Sequence, residues 1–253
     1  MKKIRVSTVK YANSIPLNWG LLNGPVAPLV DIDFDHPTGI AAKIAGGKAD
    51  IGLLPVAAIP QLEKYHITGD YCIGTRGSVR TVMFLSNSKI EDVGMVWLDH
   101  RSVTSVSLAM VLAKYHWKRE FKWHQPDETF IYDSIGPGEA VVMIGDQCFG
   151  MENRFRYGYD LGHEWNLFTG LPFVFAAWVA TIHPGREFIG DFNRSLEKGL
   201  KNIRQAVREM NKGGSLPDEE IVGYLSTNID YEFDEPKKRA MELFLGFLNT
   251  LKH

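Results

Sequence analysis

Strand-like and helix-like segments alternate through the first 55 residues, and that order admits few folds. Residues 4–9 read as a strand, with polar Arg5 and Ser7 interleaved, and the chain then enters Tyr11-Ala12-Asn13-Ser14-Ile15-Pro16, a turn leading into a helix. Residues 29–34 form a second strand. Thr38 is placed to cap a short helix with Ile40, Ala41, Ile44 and Ala45 on its apolar side, closed by Gly46-Gly47. Ile51-Gly52-Leu53-Leu54 reads as a buried strand stopped by Pro55. This β-α-β-α-β order predicts an α/β protein with a mostly parallel sheet covered by helices.

From Gly77 the character changes. Residues 79–86 form a long apolar strand and 95–98 another, and Ser102 opens a helix with Val106, Ala109, Met110 and Ala113 on one stripe. A strand over 140–144 ends in Gly145-Asp146. Residues 171–182 are a second long, nearly unbroken apolar strand. Three helices follow, over 191–210, 217–225 and 235–251, with Asp191 and Asp234 as N-caps and Gly213-Gly214 closing the first. The pattern predicts two lobes: a discontinuous lobe of residues 1–85 plus 175–253, and an inserted lobe of 86–174. The two long apolar strands would be the hinge crossings, and the cleft between the lobes the expected ligand site.

Composition narrows the function. With 253 residues, 45% of them apolar, the chain buries a core without disulfide or metal staples. Lys plus Arg is 28 against 30 Asp plus Glu, with no basic run, which argues against a nucleic-acid partner. Cys72 and Cys148 are the only cysteines and are not in CxxC spacing, so a disulfide framework is excluded and a reducing compartment fits. No apolar h-region follows Met1-Lys2-Lys3, and the longest apolar run falls short of the roughly 18 residues a membrane span needs. The reading is a cytoplasmic, soluble protein with no membrane partner. Its oligomeric state is not set by the sequence.

Several chemistries have no motif here. GxxxxGK[ST] and GxSxG do not occur, and His163-Glu164 lacks the second histidine of a zinc-protease helix. Gly136-Pro137-Gly138 is followed by Val141 where a dinucleotide fingerprint needs Gly or Ala. His36, His66, His100 and His183 lie in or beside loop-like sequence and read as solvated or locally bonded. No metal site and no cofactor are expected.

Four segments are candidates for binding. In the first turn, Tyr11, Asn13 and Ser14 offer hydroxyls and an amide, although Asn13 or Ser14 would equally cap the helix. Asp99-His100-Arg101-Ser102-Val103-Thr104-Ser105-Val106 feeds a strand end into a helix N-terminus, where backbone N–H groups and the Ser102, Thr104 and Ser105 hydroxyls suit an anion; simple capping is the alternative. Gly145 would let a ligand approach the backbone, and Asp146 would either accept a hydroxyl proton or cap. Arg80, with Thr81 beside it, would clamp a carboxylate or sit on the surface. Phe173 is a core residue or a cleft residue.

In combination these segments resemble one family. Tyr11-Ala12-Asn13-Ser14-Ile15-Pro16-Leu17 with Gly20-Leu21, Ala49-Asp50-Ile51-Gly52-Leu53-Leu54-Pro55-Val56, Ser102-Val103-Thr104-Ser105-Val106 and Ile144-Gly145-Asp146 occur in order. Tyr159-Asp160-Leu161-Gly162, Glu164-Trp165 and Thr169-Gly170-Leu171-Pro172-Phe173-Val174-Phe175-Ala176 are the most specific. They are similar to chorismate dehydratase of the futalosine route to menaquinone, over roughly residues 3–185. Gly77-Ser78-Val79-Arg80-Thr81 departs from the Gly-Pro-Val-x-Ser of many members, with Thr81 keeping the hydroxyl. The resemblance implies a type II periplasmic-binding-protein fold used for catalysis. It implies loss of water from chorismate, giving 3-[(1-carboxyvinyl)oxy]benzoate. On that reading Asn13 and Thr81 are catalytic, orienting the departing hydroxyl and the substrate's enolpyruvyl carboxylate, which takes the ring proton. Asp146 is the competing base. Tyr11, Ser14, Pro55, Arg80, Ser102, Thr104, Ser105, Val106, Gly145, Asp146 and Phe173 would contact substrate. A solute-binding or sensing protein for a small aromatic or dicarboxylic acid is the alternative, as is 1,4-dihydroxy-6-naphthoate synthase. The chain lacks the Ser-Pro-Cys-Pro-Asn-Asp type opening of that synthase.

Overall fold

The structure is a computed structural model that describes residues 3–99, 102–127, 130–151, 153–214 and 216–251. Along the chain come β1 (Ile4–Thr8), α1 (Ile15–Asn23), β2 (Val30–Phe34), α2 (Pro37–Ala45), β3 (Ile51–Pro55) and β4 (His66–Thr75). The middle segment carries β5 (Val82–Ser86), β6 (Met95–Leu98), α3 (Val103–Val111), β7 (Lys122–His124), β8 (Glu139–Ile144), β9 (Tyr157–Asp160) and α4 (Leu161–Thr169). Then follow β10 (Phe173–Ala180), α5 (Arg186–Lys201), α6 (Ile203–Met210), α7 (Asp218–Thr227), β11 (Asp230–Glu232) and α8 (Glu235–Leu251).

The chain divides into two compact units: residues 1–74 with 174–234, and residues 75–173 with 235–253. Two segments differ from the expected division. Strand β5 belongs to the second unit, because it pairs with β8 and β9 on either side. Helix α8 belongs there too, since its Phe244 packs edge-on against Trp165 and Phe173. The chain therefore passes between units at three points rather than two.

Unit 1 holds a sheet in the order β11-β4-β10-β3-β1-β2. β1 runs parallel to β2 and β3, as the β-α-β-α-β pattern requires, but β10 is antiparallel to β3 and β11 to β4, so the sheet is mixed. Asp50 ties the entry of β3 to β1: its carboxylate accepts from Arg5 Nη2 (2.6 Å), Arg5 Nε (3.0 Å) and Arg5 N (2.9 Å). Helices α1 and α5 cross almost in backbone contact. A Cβ on Gly199 would stand 1.8 Å from Pro16 O, and one on Gly20 would stand 2.1 Å from Ser195 O.

Unit 2 holds a sheet in the order β7-β6-β8-β5-β9. β6 is parallel to β7 and β8, and β5 is antiparallel to β8 and β9. Helix α3 continues into a π-helical stretch, Leu112–Trp117, whose His116 Nε2 and Trp117 Nε1 meet Glu164 Oε2 at 3.1 and 2.9 Å.

Other local expectations are revised. The position before α2 is His36, with Pro37 at the first turn, so Thr38 lies inside the helix. Pro55 is the last residue of β3 rather than its stop. The helix read over 191–210 is two, broken at Asn202, and Asp191 lies within α5. Only 82–86 of the apolar run from Val79 is strand. Among the described residues no helix is long and apolar enough to cross a membrane.

Candidate functional site

The expected site residues fall into two groups, one in each unit. In unit 1 the parallel pairing of β1 with β2 and β3 puts their carboxyl ends on one side of the sheet, the side where α/β proteins place ligands. β1 leads there into a 3-10 turn, Ala12–Ser14, and β3 brings buried Pro55 opposite Ala176. A polar network braces the turn. Asn18 Nδ2 donates to Val9 O (2.8 Å) and Ser14 Oγ (3.1 Å), while its Oδ1 accepts from Thr8 Oγ1 (2.9 Å). The buried Ser14 hydroxyl lies 2.8 Å from both Val9 O and Tyr11 O, so it holds the turn together rather than facing a ligand. Tyr11 is half-buried and gives its carbonyl to the same network.

Asn13 is different. Its backbone carbonyl accepts from the Tyr231 hydroxyl at 2.9 Å, and burial pushes the Tyr231 phenol well above its ordinary pKa, keeping it a donor. Its side-chain Oδ1 is buried and has no hydrogen-bond partner among the described residues. An unmet buried acceptor costs about 1–3 kcal/mol and calls for an explanation. The turn is thus firmly fastened, and the Asn13 side-chain oxygen is the acceptor it leaves unmet among the described residues.

In unit 2 the sheet register gathers three expected segments. Val82 pairs with Ile144 and Leu98 with Val142, so the start of β5 and the ends of β6 and β8 lie side by side. Gly145 N donates to Thr81 O at 2.8 Å, and Gln147 Nε2 donates to the buried Asp99 Oδ2 at 2.5 Å, stitching the 145–148 turn to the approach to α3. Gly145 has φ of 73°, in the left-handed region glycine favours, and a Cβ there would meet nothing within 4 Å among the described residues. Asp146 follows, half-buried. Thr81 is 2% exposed with its hydroxyl 3.4 Å from Val79 O.

Ser102 occupies the N-cap of α3. Its Oγ accepts from Ser105 N (3.3 Å) and lies 3.0 Å from Ser105 Oγ, and its carbonyl accepts from Val106 N (3.2 Å). Two of the amides expected to face an anion are thus turned onto the cap, and Thr104 and Ser105 are buried, while Ser102 and Val106 are half-buried. His100 and Arg101 lie outside the described residues. Phe173 is core: 1% exposed, edge-on to Trp165 at 5.2 Å and Phe244 at 5.1 Å.

Arg80 lines a cavity of about 410 Å³ within unit 2, together with Ser78, Asp160, His163 and Glu164. Its guanidinium lies over the Phe149 ring at 5.4 Å, and its φ is 61°. A larger cavity of about 610 Å³, at the α5–α6 break in unit 1, is lined by none of the expected residues. Among the described residues no three of His, Cys, Asp and Glu gather to hold a metal ion.

Sequence reading assigned no role to Asn18, Asp99 or Asp160. Asp160 had a visible signal, an acid immediately before a helical segment. The partners that matter stand about eighty positions upstream.

Comparison with known proteins agrees with this architecture. Protein AF1704 from Archaeoglobus fulgidus superposes with a TM-score of 0.76 at 14% identity, covering 99% of this chain and 98% of that one. A Candida albicans gene product described as having the generic periplasmic binding protein fold gives 0.68 at 12% identity, over 100% and 92% of the two chains. The periplasmic aliphatic sulphonate binding protein of Escherichia coli gives 0.62 at 12%, over 100% and 92%. At these identities the likeness is one of fold, and it is the periplasmic-binding-protein fold. The family model described as menaquinone biosynthesis matches residues 4–250, so the chain belongs to the menaquinone biosynthesis family.

Proposed function

We propose that this protein is a chorismate dehydratase, a carbon–oxygen lyase acting early in menaquinone synthesis. The observation that carries the reading is the unmet, buried Asn13 Oδ1 in a chain of this family. Chorismate offers that oxygen a ring hydroxyl to accept from, and that hydroxyl is the group to be lost. Loss of the neighbouring ring hydrogen as a proton, with departure of the hydroxyl as water, leaves an aromatic ring. Conjugation through the diene to the ring carboxylate acidifies that hydrogen, so a strong protein base is unnecessary. The enolpyruvyl carboxylate of the substrate takes the proton and returns it to the leaving oxygen, which balances the step. Asn13 orients the hydroxyl, and Thr81 assists in orienting the departing group. Arg80 holds one of the substrate's two carboxylates. Positioning of this kind supplies most of the acceleration, with proton transfer typically adding about 10²–10⁴-fold. Asp146 is the alternative base.

The test is purified protein with chorismate, without added metal or cofactor, followed by ultraviolet absorbance and mass spectrometry. A product one water lighter with an aromatic spectrum is expected. Chorismate bound and returned unchanged would replace the enzyme with a binding or sensing role. Chorismate neither bound nor converted would refute the substrate.

A further inference from the structure

Arg80 is one of two non-glycine residues with positive φ among those described, at 61°, a conformation that residues carrying a Cβ seldom adopt unless their surroundings favour it. What favours it is Asp160. One carboxylate oxygen, Oδ2, accepts from Ser78 Oγ (2.6 Å) and Arg80 N (2.6 Å). The other, Oδ1, accepts from Val79 N (3.0 Å) and, as the N-cap of α4, from Gly162 N (3.0 Å) and His163 N (3.1 Å). Gly162 lets this happen at close range: a Cβ there would lie 2.7 Å from both Gly77 O and Thr75 Cγ2. Thr75 folds the loop from beneath, its Oγ1 accepting from Gly77 N at 3.2 Å.

An N-cap needs only the Oδ1 bonds to the helix. The Oδ2 pair serves the 78–80 loop alone, and that loop aims Arg80 and delivers Thr81 to its bond with Gly145 N. We infer that Asp160 is a positioning residue for the dehydration, holding Arg80 and Thr81 in place through the 78–80 loop without touching substrate. The inference rests on the reading of the site as a chorismate dehydratase.

Asparagine separates the two duties of Asp160. In Asp160→Asn, Oδ1 still caps α4 and accepts from Val79 N, whereas the amide nitrogen set against Ser78 Oγ and Arg80 N cannot accept. The expected result is thermal stability close to wild type with kcat/KM on chorismate lower by about tenfold to a hundredfold, the scale of losing hydrogen bonds to a charged group. Amide hydrogen exchange should quicken at Arg80 while Gly162 and His163 keep their protection. In an Arg80→Gly background, where glycine adopts the positive φ unaided, adding Asp160→Asn should cost little. A purely structural Asp160 would cost the same factor in both backgrounds. Ser78→Ala, which spares the cap, should reproduce part of the loss and serves if Asp160→Asn does not fold. An active wild type with Asp160→Asn and Ser78→Ala equally active would overturn the inference alone. A wild type inert toward chorismate would overturn the functional reading, and the positioning role with it.

Discussion

Replacing Gly199 with alanine tests the α1–α5 crossing. The added Cβ would lie 1.8 Å from Pro16 O, and bringing that separation to even 3.0 Å opens the crossing by about 1.2 Å. The obstacle is backbone, so no side-chain rotation relieves it. A gap of that size forfeits a large part of the dispersion attraction along both helices. Overpacking of this kind costs about 1–3 kcal/mol, and the wholly backbone clash places Gly199→Ala at the upper end. Against it stands alanine's intrinsic helix advantage of up to about 1 kcal/mol. The net loss is about 2 kcal/mol, or about 4–8 °C in Tm for a chain of this length. Gly223, exposed in α7 of the same unit, is the control, because a Cβ there meets nothing within 4 Å among the described residues. Gly223→Ala should gain up to about 1 kcal/mol. Urea and thermal denaturation followed by tryptophan fluorescence read both. Two alanine variants shifted in the same direction would refute the argument, since helix propensity alone would then account for them.

The remaining predictions concern the site and its pH response. Asn13→Ala should lower kcat on chorismate by at least about a hundredfold while leaving the fold intact, because no hydrogen bond among the described residues uses the side-chain oxygen. Full turnover in that variant would remove Asn13 from the mechanism. Asp146→Asn should retain most activity if the substrate carboxylate is the base, and loss of turnover with chorismate still bound would transfer the role to Asp146. His66 stacks on His183 with ring centroids 4.5 Å apart, and burial, aided by His183, holds its pKa below 6.5. The folded chain thus binds fewer protons there than the unfolded one, so its contribution is complete above pH 6.5 and is lost as the pH falls through the depressed value. His66→Gln should flatten the fall in urea midpoint over that window, and an unchanged slope would contradict the assignment.

The sequence makes legible what repeats locally. β1 and β2 stand out as short alternations of apolar and polar residues and β3 as a short apolar run, each bounded by turn residues, and Ser102 announces α3 by its place before an apolar stripe. β4 is hidden because Gly69 and Asp70 interrupt its pattern and its partners lie far along the chain, in β11 for one. The 79–81 segment reads as strand from Val79 and Thr81, yet Asp160 captures its N–H groups and turns Arg80 into the left-handed region. Local propensity carries no trace of a carboxylate eighty residues away. The same holds within the candidate site. Asn13 is visible as an amide in a turn, but only its packing distinguishes it from Ser14, whose hydroxyl the turn consumes.

The threading of the units also orders events during synthesis. By Asp234 every strand of both sheets has been made, and unit 1 has all its parts. Unit 2, begun at Thr75, still lacks α8, so Trp165 and Phe173 would wait with no Phe244 against them. Until α8 is made the growing chain carries an uncovered aromatic face, and exposed apolar surface of that kind is prone to aggregate. Loss of α8 alone would leave the described strands of both sheets in place and still expose Trp165 and Phe173.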